Sequence, residues 1–125
     1  MGLVLDTGGL IGFERGDRGV AALVEAARRR RDRVVTSSGC VAQAWRGGPR
    51  QVLLARLLRG LDEQGLDRRG SRAVGALCGA AGSSDAIDAH VALLARDGDI
   101  VLTSDAGDLR LLLGARGCRA EVKPC

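Results

Sequence analysis

Four aspartates, Asp6, Asp85, Asp88 and Asp105, occupy positions from which carboxylates can converge. Asp6 closes the apolar run Leu3-Val4-Leu5, and Asp105 lies just past Ile100-Val101-Leu102-Thr103. If both runs are parallel strands, both acids leave the sheet at its C-terminal edge, where α/β proteins usually bind ligands. Asp85 and Asp88 are spaced i, i+3, which puts both carboxylates on one face at the start of a helix. Carboxylates gathered at one edge repel one another and raise one another's pKa unless a cation lies among them. An oxygen-only site suits a hard divalent cation, Mg²⁺ or Mn²⁺. Such an ion polarises a phosphoryl oxygen and turns a bound water into a nucleophile. The chemistry indicated is metal-assisted phosphodiester hydrolysis. Taken singly, each acid is better explained as a helix-start charge, and Asp108 as such a charge or as part of a turn. The joint pattern is what points to a site: two strand ends and an i, i+3 pair, with apolar residues behind each.

These acids need strands and helices in alternation to position them. Leu3-Val4-Leu5 is a buried strand that ends in a turn at Asp6-Thr7-Gly8-Gly9. Val20, Leu23, Val24 and Ala27 mark an amphipathic helix running into Arg28-Arg29-Arg30-Arg31. Val34-Val35-Thr36 is a β-branched second strand. A short helix over 39–46 is closed by Gly47-Gly48, and Pro49 opens the next, whose apolar stripe is Val52, Leu53, Leu57 and Leu61. Residues 62–70 are polar and glycine-punctuated, a loop. Ser71 is placed to cap a helix with Val74, Leu77 and Cys78, and Ser84 to cap one with Ile87, Val91, Leu94 and Ala95. After the strand Ile100–Thr103 come a helix over 108–113 and a last short strand over 119–122. Alternating strands and helices imply an α/β fold with parallel pairing.

Composition narrows the class further. A chain of 125 residues is expected to make one domain over 1–125. It is 46% apolar and 27% charged, as in ordinary soluble domains, with a net charge of +4. No apolar run approaches membrane-helix length, and the N-terminus meets Asp6 too early for a signal peptide, so a cytoplasmic protein with no membrane contact is expected. Phe13 and Trp45 are the only aromatics, which disfavours base stacking on an aromatic platform. Cys40, Cys78, Cys118 and Cys125 form no CxxC pair, and with His90 alone a structural zinc site is disfavoured.

Arranged this way, the chain resembles the PIN-domain ribonucleases, in particular the toxin subunits of VapBC-type toxin–antitoxin pairs. The matching segments are Leu3-Val4-Leu5-Asp6-Thr7-Gly8, Val41-Ala42-Gln43-Ala44-Trp45-Arg46, Ser84-Asp85-Ala86-Ile87-Asp88-Ala89-His90 and Val101-Leu102-Thr103-Ser104-Asp105-Ala106-Gly107-Asp108-Leu109. The resemblance covers nearly the whole chain and implies a three-layer α/β/α sandwich around a mostly parallel sheet. It implies metal-dependent endonucleolytic cleavage of RNA, a homodimer, and an antitoxin whose C-terminal segment covers the acidic pocket. It assigns Asp6, Asp85 and Asp105 as catalytic and metal-holding acids, Asp88 as a supplementary ligand, and Thr103 or Ser104 as the hydroxyl near metal or phosphate. Its second motif usually carries a glutamate, and here Gln43 stands in that place. An amide oxygen is a weaker ligand for a hard cation than a carboxylate. Asp88 compensating, a single tightly held metal, low activity, and a helix-surface amide with no role are all compatible with that change.

Arg46 and Arg50, near Gln43 in sequence, are the arginines best placed to touch a backbone phosphate. Arg28 to Arg31 with Arg33 are either a phosphate patch or a solvated helix end, and the second is favoured. Trp45 is expected in the core or an interface, and His90 in a structural role. Asp6-Thr7-Gly8 also spells the aspartic-protease triplet, but that fold is nearly all β. A dehalogenase-like phosphatase needs a second Asp where Gly8 stands, and a receiver domain needs a late lysine that Lys123 does not match. The competing reading is a catalytically weak PIN-like module that binds RNA or a protein, and Gln43 keeps it open.

Overall fold

The apolar runs become strands because each is buried on both faces. In the computed structural model, which describes residues 1–125, β1 (Leu3–Leu5), β2 (Val34–Ser37) and β4 (Ile100–Thr103) are buried at every position. Two further strands, β3 (Asp62–Gln64) and β5 (Glu121–Pro124), complete a five-stranded sheet in the order β3-β2-β1-β4-β5. Every pairing is parallel, with Leu5 opposite Thr36 on one side and Leu102 on the other. The chain moves outward from β1 through β2 to β3, then crosses back past β1 to β4. The strand order therefore reverses between β1 and β4, where α/β sheets open their ligand crevice.

Seven helices cover the sheet: α1 (Thr7–Glu14), α2 (Arg18–Arg29), α3 (Ser38–Ala44), α4 (Val52–Gly60), α5 (Arg68–Ala81), α6 (Ala86–Leu94) and α7 (Ala106–Ala115). Helix α1 packs on α2, α3 and α4, whereas α5, α6 and α7 pack on one another. The result is the expected α/β fold, a three-layer α/β/α sandwich, with one hydrophobic core that runs from Leu10 and Val24 through Val4, Val35 and Val101 to Leu109 and Leu112. No helix is long and apolar enough to cross a membrane.

Several elements differ from the expected ones for local reasons. The glycines after Asp6 do not end in a turn. They form α1, because Asp6 Oδ1 accepts the Gly9 N–H at 3.0 Å and Leu10 is fully buried. The loop expected over 62–70 holds the edge strand β3, whose exposed residues carry no apolar pattern and which forms through its ladder with β2. Helix α5 starts at Asp67, not Ser71: Asp67 Oδ1 takes the Gly70 N–H, while the Ser71 hydroxyl bonds back to the Arg68 carbonyl. Helix α6 is capped by Asp85, not Ser84, and α7 starts at Asp105, not Asp108. The short helix α3 ends at Ala44, ahead of the expected Arg46, and β5 begins two residues later than expected. In α4 the buried stripe is Leu54 and Leu57; Val52 and Leu53 are exposed, as is Trp45.

Gly8 lets two parts of the sheet's C-terminal edge approach closely. A Cβ there would lie 2.6 Å from the Cβ and Oγ of Ser104 and 2.8 Å from its backbone N, so the α1 start and the β4–α7 turn meet only through a hydrogen. Ala for Gly in a helix normally gains up to about 1 kcal/mol. At Gly75 in α5, which has open space around it, Gly75→Ala should raise stability by an amount of that order. Gly8→Ala should instead cost about 1–3 kcal/mol through overpacking, read as a lower urea midpoint at unchanged m-value.

Candidate metal centre

The acids are brought together by helix starts. Strands β1 and β4 deliver α1 and α7 to the same edge, and α6 packs beside α7. The positive dipole ends of these helices lie at that edge, where carboxylates are favoured. Asp85 caps α6 by accepting the Asp88 N–H at 2.9 Å, and Asp105 caps α7 by accepting the Asp108 N–H at 3.4 Å. The sequence thus uses one device twice, Asp85-Ala86-Ile87-Asp88 and Asp105-Ala106-Gly107-Asp108. In each, the first aspartate closes the turn and the second is carried on its inner face.

Three carboxylates meet as a result. Asp85, Asp88 and Asp108 each present an oxygen, and these oxygens all lie within 4.8 Å of one another. Of the expected ligands the structure therefore brings Asp85 and Asp88 together, and adds Asp108. Asp105 lies outside this group as an exposed cap, its backbone N–H held by the Thr103 hydroxyl at 2.8 Å. The signal for Asp108 was available: it repeats the Asp-x-x-Asp spacing of the pair already singled out.

The electrostatics follow from the crowding. Asp88 is pushed up to about 7, first by burial, then by its hydrogen bond with Asp108, then by the charges of Asp85, Asp6 and Asp108. Asp6 is almost fully buried at the floor, and burial raises its pKa. Hydrogen bonds from the Thr103 hydroxyl and from the backbone of Gly9, Gly8 and Ser104 act against that rise. A half-buried carboxyl that holds a proton near neutrality, first through burial and then through facing carboxylates, is one that a hard cation can relieve. The residues present therefore fit Mg²⁺ or Mn²⁺, with Asp85, Asp88 and Asp108 as the ligands at hand and Asp6 as the charge behind them. No protein-family model matches the chain, and no curated protein matches it.

The remaining expected residues lie around this group. Gln43, exposed on α3, accepts a hydrogen bond from the Thr7 hydroxyl through its Oε1, so its amide oxygen is engaged on α1. Gln43 also lines a cavity of about 410 Å³ with Glu14, Arg15, Arg46 and Arg50. The loop carrying the last two arginines is held by Gln51, a residue the sequence pattern did not mark. Its buried amide accepts the N–H groups of Arg46 and Gly47 at 2.7 and 2.9 Å and donates to the Ala44 carbonyl at 2.8 Å. Arg46 itself turns back onto the Trp45 carbonyl at 2.8 Å. Thr103 is buried, and Ser104 is the exposed hydroxyl of that pair. Arg28 to Arg31 end α2 ahead of β2, at the opposite edge of the sheet, where Arg33 pairs with buried Asp99 at 3.0 Å.

The Asp88 proton links the site to stability. The native metal-free chain binds that proton up to about pH 7, whereas an unfolded aspartate releases it near 3.8. The contribution is complete below the ordinary value and is lost as pH rises through about 7. The rise at Asp6 has the same sign. Burial lowers His90, which acts with the opposite sign, because the unfolded imidazole binds a proton that the native one releases. The informative quantity is therefore a difference: with a chelator present, Asp88→Asn should gain on the parent between about pH 5 and pH 8 and melt above it at about pH 8. Equal pH profiles for the two chains contradict the raised Asp88.

Proposed function

We propose that the chain is a metal-dependent endoribonuclease, the toxin subunit of a toxin–antitoxin pair of the PIN-domain type. The observation that carries the reading is the Asp85, Asp88 and Asp108 group at the sheet's switch point, with Asp6 beneath it. Phosphodiester hydrolysis is one chemistry that a hard cation held by carboxylates serves. RNA as the substrate is supported by the resemblance of the four segments and by the arginine-lined cavity beside Gln43.

Asp85, Asp88 and Asp108 would hold the cation, and Asp88 gives up its proton when they do. When bound, Mg²⁺ or Mn²⁺ supplies a Lewis acid for a phosphoryl oxygen and a water of lowered pKa. Asp6, fixed by the Gly9 N–H and the Thr103 hydroxyl, keeps negative charge behind the group. Ser104, exposed next to Gly8, is the hydroxyl free to touch a phosphate oxygen. Arg46 and Arg50 hold the neighbouring backbone phosphates. The same reading gives a cytoplasmic homodimer inhibited by an antitoxin segment over the acidic pocket.

Gln43 favours a second reading, an RNA- or protein-binding module of weak catalysis, because its amide is bonded to Thr7 and adds no carboxylate. One assay separates the two. Purified chain should cleave an RNA pool in Mg²⁺ or Mn²⁺ and stop in EDTA. Asp88→Asn and Asp108→Asn should each lower the rate on the order of 10²-fold, the size of losing one electrostatic group from an active site. Asp105→Asn, a cap outside the group, should cost less. A folded chain that cuts no RNA with either metal leaves only the binding module.

A further inference from the structure

Helix α6 carries a second feature on its other side. Ala86 and His90 are one turn apart, and Asp88 lies two residues from each, so they face away from the carboxylates. There they line a cavity of about 330 Å³ with Ile87, Ser38, Gly39 and Leu66, within the ~300–1,000 Å³ of small-molecule sites. His90 is only 8% exposed, yet its ring nitrogens have no hydrogen-bond partner in the chain. No side-chain nitrogen or oxygen is sealed off without a partner, so these nitrogens keep open contact with the cavity. They are therefore open to a ligand whose polar edge takes the place of water there.

The lining selects the ligand's chemistry. No Lys or Arg reaches the cavity, and the Ser38 hydroxyl is bonded to the Glu63 carboxylate at 2.7 Å, so the lining offers an anion no cationic side chain. Ile87 and the half-exposed Leu66 supply apolar walls, and a Cβ at Gly39 would meet Ile87 at 3.2 Å, so α3 and α6 approach closely at this point. Apolar walls with an imidazole and a hydroxyl oxygen between them suit a flat, neutral heterocycle with donors and acceptors on its edge. Unpaired RNA bases are read in this way, by packing on their faces and hydrogen bonds to their edges.

We propose that this cavity is a nucleobase subsite, which takes an unpaired base of the RNA whose backbone lies over the acidic group; as an RNA subsite it rests on the ribonuclease reading. The chain has a single histidine, so one imidazole NMR signal reports the cavity. Cytidine, uridine, adenosine and guanosine, added singly without divalent metal, should shift that signal saturably for at least one of them, and inorganic phosphate should not. Leu66→Ser and Ala86→Leu, both at exposed positions, remove a wall and fill the space, and each should weaken binding by at least about fivefold. Asp88→Asn should leave it unchanged. No shift from any nucleoside on the folded chain, or an equal shift from phosphate, overturns the subsite even where metal-dependent RNA cleavage is found. Nucleoside binding in a chain that cleaves nothing upholds the subsite and overturns the nuclease.

Discussion

The parallel pairing of β1 with β4 is the constraint on which the site depends. Leu5 lies opposite Leu102, so both chains leave the sheet at one level and must begin their helices side by side. Two helix starts that close need a residue without a side chain between them, and Gly8 against Ser104 meets that need. They also need acceptors for their first N–H groups, and Asp6 and Asp105 provide them. The acids at this edge are therefore first of all a consequence of how an all-parallel sheet starts its helices. What distinguishes the site is that Asp88 and Asp108 add a second carboxylate to a helix start already capped.

Asp99 shows what a buried acid looks like when its surroundings satisfy it. It is 4% exposed, and its oxygens accept from the Gly2 and Arg96 N–H groups and from the Arg33 guanidinium at 2.6 to 3.0 Å. Every neighbour is a donor, and the result is a clamp across the sheet's other edge. Asp88 has the reverse surroundings, with Asp85, Asp6 and Asp108 as its charged neighbours. Asp99 is satisfied by donors, whereas Asp88, half-buried, faces carboxylates, and that contrast is what the proposed cation site rests on.

The legible parts of the sequence are those where one residue type reports one environment. Strands β1, β2 and β4 are apolar because both faces are covered, so their runs announce them. Strand β3 is an exposed edge held by backbone hydrogen bonds, and those leave no mark on Asp62, Glu63 or Gln64. Helix starts were legible to within a few residues, because Ser and Asp both cap and several stand in a row at Ser83-Ser84-Asp85. The i, i+3 pair at Asp85 and Asp88 was legible as a face. Asp108 was legible only as a repeat of that spacing, and that it meets Asp88 depends on α7 starting at Ala106 and lying against α6. Gln51 and the cavity at His90 are products of tertiary packing, and no spacing announces them.

The place of Gln43 now has a physical basis. Asp88 holds a proton up to about pH 7 through burial and through the charges of Asp85, Asp6 and Asp108. A carboxylate in place of Gln43 would add a further negative charge at the start of α1, next in the chain to buried Asp6. A neutral amide accepts from the Thr7 hydroxyl, ties α3 to the first turn of α1, and adds no charge. It lines a cavity with Glu14, Arg15, Arg46 and Arg50, so the neutral residue stands between α1, which Asp6 caps, and a mainly basic cavity. The net charge of +4 hides this division. A polyanion is attracted by the arginines and repelled by the aspartates, and under the proposed function only a cation among the latter lets one strand touch both.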